Sequence, residues 1–339
     1  MRLAILGLGH VSRALLGMLR ERKGDLYRRF GLSPRVVAVM DSRGAAVCDR
    51  GLPLETLLQC KAEGGSVADL PDHGLKGLAA EQLLADSSAE VLIEATPSRM
   101  DAPQEALAHL QTAFCHGMHA ISVNKAPLAV ALPALRELAA YNRVEFRFSG
   151  TVGAGTPVFQ LAKASADGDE VLGVEAILNG TTNFILHQMH EQGTSYDDAL
   201  AKAQQLGYAE ADPTADVDGI DAATKLVIFA NLVLGRTATF SDVQREGIRS
   251  VTLEQLRDAA ARGMRIKLIA SCEEALRVAP QEVPSDSPLN VPGSLNAVTL
   301  RLRYGGDVTL VGRGAGGPET ATAIMRDLVN IWQTIGNPS

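Results

Sequence analysis

The densest chemistry in the chain lies in residues 207–225. Glu210, Asp212, Asp216, Asp218 and Asp221 fall within twelve residues, just ahead of an apolar run Leu226-Val227-Ile228 that reads as a helix. Carboxylates favour a helix N-terminus because of its dipole, but five exceed what capping needs. The spacing is not that of an EF-hand, since no glutamate closes a twelve-residue loop. Asp221 and Lys225 stand at i, i+4, so they share a helix face and can pair. A lysine held by a carboxylate keeps its proton and can donate it. Spacing alone is equally compatible with a surface ion pair. Lys125 is a second cation of interest, because it directly follows an apolar run at 118–123.

These groups need a frame to hold them. At 339 residues the chain is long enough for two domains. Lys plus Arg number 32 against 39 Asp plus Glu, a net charge of -7, and aromatics are 4%. That balance excludes a phosphate-backbone binder and a base-stacking platform. Cys48, Cys60, Cys115 and Cys272 form no CxxC pair, so neither a zinc site nor a disulfide framework is expected, and reduced thiols point to the cytoplasm. The opening MRLAILGLGH is too short for a membrane span, lacks a cleavage site, and reads as a first strand.

Residues 2–7 form an apolar run closed by glycine, as a strand buried on both faces would. Gly7, Gly9 and Ser12 then give Gly-x-Gly-x-x-Ser ahead of a helix. Gly7 permits the tight turn, and Gly9 lets backbone N–H groups approach a pyrophosphate at the positive end of the helix. A second run, 36–40, ends at Asp41, where the dinucleotide fingerprint places an acid that accepts from the ribose of NAD. Its separation from Gly9 is about 30 residues rather than about 20, which assigns 25–34 to a lengthened loop. Arg43 would instead suit the 2′-phosphate of NADP. The choice stays open, with a slight lean to NAD. Further strands at 90–95, 118–123 and 145–148 alternate with helices, which implies a parallel sheet with helices on both faces. Thr96 and Lys125 fall at the strand ends, where such sheets bind ligands.

The second half opens on a glycine-rich crossing, 149–157, able to turn carbonyls toward a hard cation or simply to bend the chain. A strand at 172–178 leads into Asn179-Gly-Thr-Thr-Asn183, whose side chains, Thr181 among them, can cap a helix or bind a carboxylate. His187 and His190 follow at i, i+3 with no third ligand nearby. Residues 254–270 read as one amphipathic helix, 281–292 as a loop, and 295–304 with 307–311 as a hairpin. Gly312-Arg-Gly-Ala-Gly-Gly317 opens a last helix reaching about residue 334.

Taken together, Gly7-Leu-Gly-His-Val-Ser12, Asn124-Lys125, Val152-Gly-Ala-Gly-Thr-Pro157, Asn179-Gly-Thr-Thr-Asn183, Gly207-Tyr-Ala-Glu-Ala-Asp-Pro213, Asp218-Gly-Ile-Asp221 with Lys225, and Gly312-Arg-Gly-Ala-Gly316 resemble homoserine dehydrogenase over nearly the whole length. The resemblance implies an α/β fold: a Rossmann-type parallel-sheet domain (1–148 plus 318–339), a dimerisation region (149–155 plus 290–317) and an α+β catalytic domain (156–289). It implies reversible NAD(P)H-dependent reduction of L-aspartate 4-semialdehyde to L-homoserine, on the route to threonine, isoleucine and methionine. Lys225 matches the family's proton donor, Asp221 its helical partner and Lys125 a second active-site lysine. Glu210, Asp216, Thr181 and Lys125 match substrate-binding positions. Gly7, Gly9, His10, Val11, Asp41, Arg43, Thr96, Lys125, Gly314 and Gly316 match cofactor-binding positions. The backbone carbonyls of Ser149, Val152, Ala154 and Thr156 match a site for a monovalent cation such as Na+. A homodimer or higher homo-oligomer is implied, with no nucleic-acid or membrane partner.

The chain stops soon after Trp332, so neither an ACT domain nor a fused aspartate kinase is expected, nor threonine feedback through one. The central expectation is that Lys125 and Lys225 converge on one carbonyl. The competing readings are another Rossmann-type dehydrogenase for an amino-acid aldehyde or alcohol, and a non-catalytic NAD(P)-binding regulator. A regulator needs no proton donor, and the acidic loop with two lysines speaks against it.

Overall fold

The computed structural model describes residues 1–336 and divides into two compact units, residues 1–151 with the chain from Gly316 onward, and residues 152–315. The first is built on a seven-stranded sheet. Its strands are β1 (Arg2–Leu6), β2 (Arg35–Asp41), β3 (Gly44–Val47), β4 (Gly74–Lys76), β5 (Val91–Glu94), β6 (His119–Ser122) and β7 (Phe146–Arg147), ordered β4-β3-β2-β1-β5-β6-β7. β2, β1, β5, β6 and β7 run parallel, and β3 and β4 add an antiparallel edge. Alternation along β1 decides the layers. Leu3 and Ile5 pack with Leu15, Leu16, Ile324 and Leu328 on one face, while Ala4 and Leu6 pack with Leu110, Phe114 and Leu135 on the other. Apolar side chains on both faces account for the unbroken hydrophobic runs of the inner strands.

The expected loop at 25–34 is largely helix, spanning Lys23–Phe30. Leu26 supplies the buried anchor, and Gly31 at φ 66° stops the helix in the left-handed conformation. The last strand is also shorter than its apolar pattern suggested, with Phe146–Arg147 alone in the ladder.

The second unit holds a six-stranded mixed sheet. Its strands are β8 (Val171–Ile177), β9 (Val243–Arg245), β10 (Met264–Cys272), β11 (Leu276–Pro284), β12 (Leu295–Leu302) and β13 (Asp307–Arg313), ordered β13-β12-β8-β10-β11-β9. β12 and β13 form the expected hairpin. The helix expected over 254–270 is instead a helix, Leu253–Ala261, followed by β10. Gly263 at φ 71° breaks it, and the residues beyond it, with β-branched and buried Ile266 and Ile269 among them, join a nine-residue ladder with β11. Residues 281–284 are likewise strand, not loop. β11 tolerates Pro280 and Pro284 because β9 pairs only with Leu276–Val278, leaving the rest of β11 an edge. The Ile220–Val233 helix is buried continuously from Ala222 to Asn231, as a helix at the centre of a core must be.

Candidate active site

In the second unit the acidic segment folds around one lysine. Gly219, at φ 73°, starts the Ile220–Val233 helix directly after the short helix Thr214–Val217. Asp221 and Lys225 then share a face, with Oδ2 to Nζ at 2.7 Å. Nζ also donates to the Leu178 carbonyl at 2.7 Å, and Lys225 is only 6% exposed. The lysine is therefore held at two points by groups from separate elements, which a surface ion pair is not.

Asn179 organises the carboxylates. Its Oδ1 caps the Gly180–Gln192 helix by accepting from Thr182 N at 2.9 Å. Its amide donates to Asp216 at 2.6 Å and to Asp221 at 3.0 Å. Burial, and then repulsion from Asp221, raises the Asp216 carboxyl above its ordinary range, with Asn179 opposing. Thr181 spends its hydroxyl proton on the Tyr208 carbonyl at 2.6 Å. Glu210 is exposed on the same loop, its carbonyl accepting from Gln204.

Behind this turn lies a second buried lysine that sequence reasoning missed. Lys267 on β10 donates to Asn183 Oδ1 at 2.9 Å and to the Val291 carbonyl at 2.8 Å. Asn183 in turn donates to the carbonyls of Val291, Gly293 and Leu295. The two side chains tie the 291–295 segment to the first turn of the Gly180–Gln192 helix. Burial, with help from Arg265, pushes Lys267 down to about 8.

In the first unit, Gly7 sits at φ 87°, and a Cβ there would lie 2.4 Å from the Ala95 carbonyl oxygen. A Cβ at Gly9 would meet nothing within 4 Å, and Gly9 opens the His10–Glu21 helix without a side-chain cap. His10 and Val11 are the first two helical residues. Uncapped N–H groups beside open space fit a pyrophosphate, so the residues present suit a dinucleotide. Ser12 is fully buried, and its hydroxyl donates to the Gly7 carbonyl at 2.6 Å. It therefore locks the turn.

Asp41 is saturated. Oδ1 accepts from Arg43 N at 3.0 Å and Ser66 Oγ at 2.8 Å, and Oδ2 from Lys61 Nζ at 2.8 Å and Val67 N at 3.1 Å. Burial opposes ionisation here, but Lys61 and the other donors outweigh it and hold the carboxyl low. The Arg43 side chain is exposed and donates to the Gly64 carbonyl.

Thr96 and Lys125 belong to one hydrogen-bonded strand end. Glu94, fully buried at the end of β5, accepts from Thr96 N at 2.9 Å and from the Thr96 hydroxyl through Oε1. Its Oε2 meets His109 Nδ1 at 2.7 Å. Asn124 donates to Thr96 Oγ1 at 3.0 Å and caps Ala126 N at 3.0 Å, while Lys125 N donates to Ser98 Oγ at 2.9 Å. The signals for His109 and Glu94 were faint: an acid closing an apolar strand, and a histidine on the apolar face of its helix.

Of the carbonyls expected to face a cation, Ser149 belongs to the first unit and Val152, Ala154 and Thr156 to the second. Ala154 takes a positive φ of 47°, and the Thr156 carbonyl already accepts from Val158 N at 2.8 Å. Gly314 lies in the second unit, where a Cβ would meet Asn296 Nδ2 at 1.9 Å. Gly316, in the first, has φ 125°. Lys125 is in the first unit and Lys225 in the second.

Such a parallel sheet with an open glycine turn, accompanied by a unit carrying a buried lysine–carboxylate pair, defines an NAD(P)-dependent oxidoreductase. A family model described as homoserine dehydrogenase matches residues 157–329. The homoserine dehydrogenase of Methanocaldococcus jannaschii is 38% identical over 98% of this chain and 99% of its own. A Pseudomonas canavaninivorans protein named NAD(+)-dependent homoserine dehydrogenase is 36% identical over 98% and 96%. A hyperthermophilic archaeal homoserine dehydrogenase, solved in complex with NADPH, superposes with a TM-score of 0.85 at 29% identity, covering 100% of this chain and 98% of its own. The chain belongs to the homoserine dehydrogenase family. Among the described residues no helix is long and apolar enough to cross a membrane.

Proposed function

We propose that the chain interconverts L-aspartate 4-semialdehyde and L-homoserine, with Lys225 as the proton donor. The supporting observation is the Lys225 ammonium, buried and fixed by Asp221 and the Leu178 carbonyl. When bound, the nicotinamide cofactor supplies or takes up the hydride. As the aldehyde is reduced, negative charge develops on its oxygen, and the Lys225 ammonium stabilises that charge and gives up a proton. Asp221 sets the direction of the ammonium. Lys125 supplies a second positive charge, toward the same oxygen or the substrate carboxylate. Glu210 and Asp216 suit the substrate ammonium, with Thr181 beside them.

Gly7, Gly9, His10, Val11, Thr96, Gly314 and Gly316 serve the cofactor. NADPH is the preferred form in this reading. A carboxylate has about four lone-pair sites, and Asp41 fills all of them with protein donors. It has none left for a ribose hydroxyl, while Arg43 stands ready for a phosphate. Carbonyls of Ser149, Val152, Ala154 and Thr156 offer hard oxygen ligands to a monovalent cation. The regions 149–155 and 290–317 serve a homodimer, with β13 as an edge strand whose Val311 is 45% exposed. Oxidation of NADPH and NADH by aspartate semialdehyde, compared with other short aldehydes, tests the assignment. Turnover confined to aspartate semialdehyde supports it, and equal rates with unrelated aldehydes overturn it.

A further inference from the structure

We propose that Glu94 and His109 form a buried positioning pair that orients Thr96 and the 124–126 segment for the cofactor. The inference rests on the reading of Thr96 and Lys125 given above.

The pair is costly as plain packing. Glu94 has no exposed surface and His109 is 3% exposed, although the surrounding layer is apolar: Leu92, Leu110, Ala113 and Phe114. Well-packed hydrophobic residues in place of a buried ion pair are often as stable or more so. What two apolar residues could not do is fix a hydroxyl. Thr96 gives its one O–H proton to Glu94 Oε1, and its own N–H goes to the same oxygen. One of its lone pairs accepts from Asn124 Nδ2. The lone pair that remains can only accept, so Thr96 presents a fixed acceptor to an N–H or O–H donor of the cofactor.

Asn124 carries the constraint onward. The amide that contacts Thr96 and the Pro97 carbonyl belongs to the side chain whose Oδ1 caps Ala126 N. Ser122 Oγ donates to the Asn124 carbonyl, and Lys125 N donates to Ser98 Oγ. The 96–98 turn and the start of the Ala126–Tyr141 helix are thereby locked together, with Lys125 between them. His109 holds the far oxygen of Glu94, so the near oxygen stays aimed at Thr96. The charged groups facing His109 are Glu94 on β5, Glu81 on the Ala80–Asp86 helix and Glu105 on its own helix. Burial opposes its protonation, but Glu94 outweighs burial and the imidazole stays protonated to higher pH than usual.

The test uses full-length H109L, H109N, E94Q and T96V, with kcat and KM for cofactor and substrate measured beside thermal melts. In H109L and E94Q the cofactor KM is expected to rise about tenfold, equivalent to one charge-assisted hydrogen bond. Asn places an amide N–H where the ring Nδ1 stood, so H109N is expected to recover most of that loss. Because the pair acts through Thr96, H109L in a T96V background is expected to add little. Should H109L fail to fold, H109N and E94Q carry the comparison. Folded H109L and E94Q with a wild-type cofactor KM, beside a raised KM in T96V, would overturn the proposal and leave Thr96 in the site. Full additivity of H109L with T96V would also overturn it. Wild-type kinetics in both T96V and K125A would instead remove the site reading itself, and this proposal with it.

Discussion

Lys225 and Asp221 stand one helical turn apart with Nζ and Oδ2 at 2.7 Å, and the Leu178 carbonyl takes a second N–H of the same ammonium at 2.7 Å. In the proposed mechanism the third N–H serves a substrate oxygen. Lys225→Ala should therefore lower kcat by at least about a hundredfold, the scale of general-acid catalysis. Nucleotide affinity, measured by fluorescence titration, should stay within about twofold, since no phosphate-binding element is altered. A mutant turning over at the wild-type rate would remove Lys225 from the mechanism.

Asp216 predicts opposite effects on stability and activity. Its carboxyl is raised by burial and by Asp221, so ionised Asp216 weighs against the folded state. The stabilising contribution of the protonated form is full below the unfolded value near 3.8 and is lost as pH climbs through the raised folded value. Asp216→Asn keeps an acceptor for Asn179 and removes the charge. Its melting temperature at pH 7 should equal or exceed the wild type's. Its KM for the amino-acid substrate should rise about tenfold through loss of an ion pair to the ammonium. A lower melting temperature with an unchanged KM would contradict both halves.

Arg43 is the simplest probe of cofactor choice. Arg43→Ala removes an exposed guanidinium that no core residue depends on. The KM for NADPH should rise about tenfold, because a charge-assisted contact to the 2′-phosphate is lost, while the KM for NADH should hardly move. High salt should weaken NADPH binding in the wild type more than in the mutant. Equal effects on the two cofactors would mean that Arg43 does not read the phosphate.

The parts of this molecule legible in its sequence are those set by neighbours in the chain. The strand–glycine–helix opening, the Asp221–Lys225 spacing and the β12–β13 hairpin are of this kind. What stayed hidden depends on partners far apart in sequence. At Asp41 nothing nearby in the sequence shows that Lys61, Ser66 and Val67 will close on its carboxylate. Lys267 sat in an amphipathic pattern read as helix, since its partners Asn183 and Val291 are remote. Ser12 is the short-range exception: its place as the third position of the fingerprint does not announce that its hydroxyl closes the turn on Gly7.

That turn supports a stability prediction. Gly7→Ala forces a side chain into φ 87° with its Cβ 2.4 Å from the Ala95 carbonyl. The cost should be roughly 2–4 kcal/mol, read as a fall in the urea midpoint, with cofactor binding lost. Ser12→Ala removes one buried hydrogen bond, about 1 kcal/mol. A Gly7→Ala protein as stable as Ser12→Ala would show that the turn is softer than its geometry.

His190 predicts that the second unit loses stability in acid. Its Nε2 accepts from Ile266 N at 3.2 Å, so the folded ring is neutral with its proton on Nδ1. Burial, followed by Arg265 and Lys267, pushes its pKa down from 6.5 to about 4. A depressed histidine contributes stability that is present above its unfolded value and is lost as pH falls toward the folded one. Between pH 7 and pH 5 the unfolded chain takes up a proton that the folded chain refuses, and the urea midpoint should fall. Gln at this position offers Oε1 to Ile266 N and has no proton to take up. His190→Gln should therefore keep the pH 7 midpoint nearly unchanged and flatten its slope over that interval, and a slope as steep as the wild type's would place the acid sensitivity elsewhere.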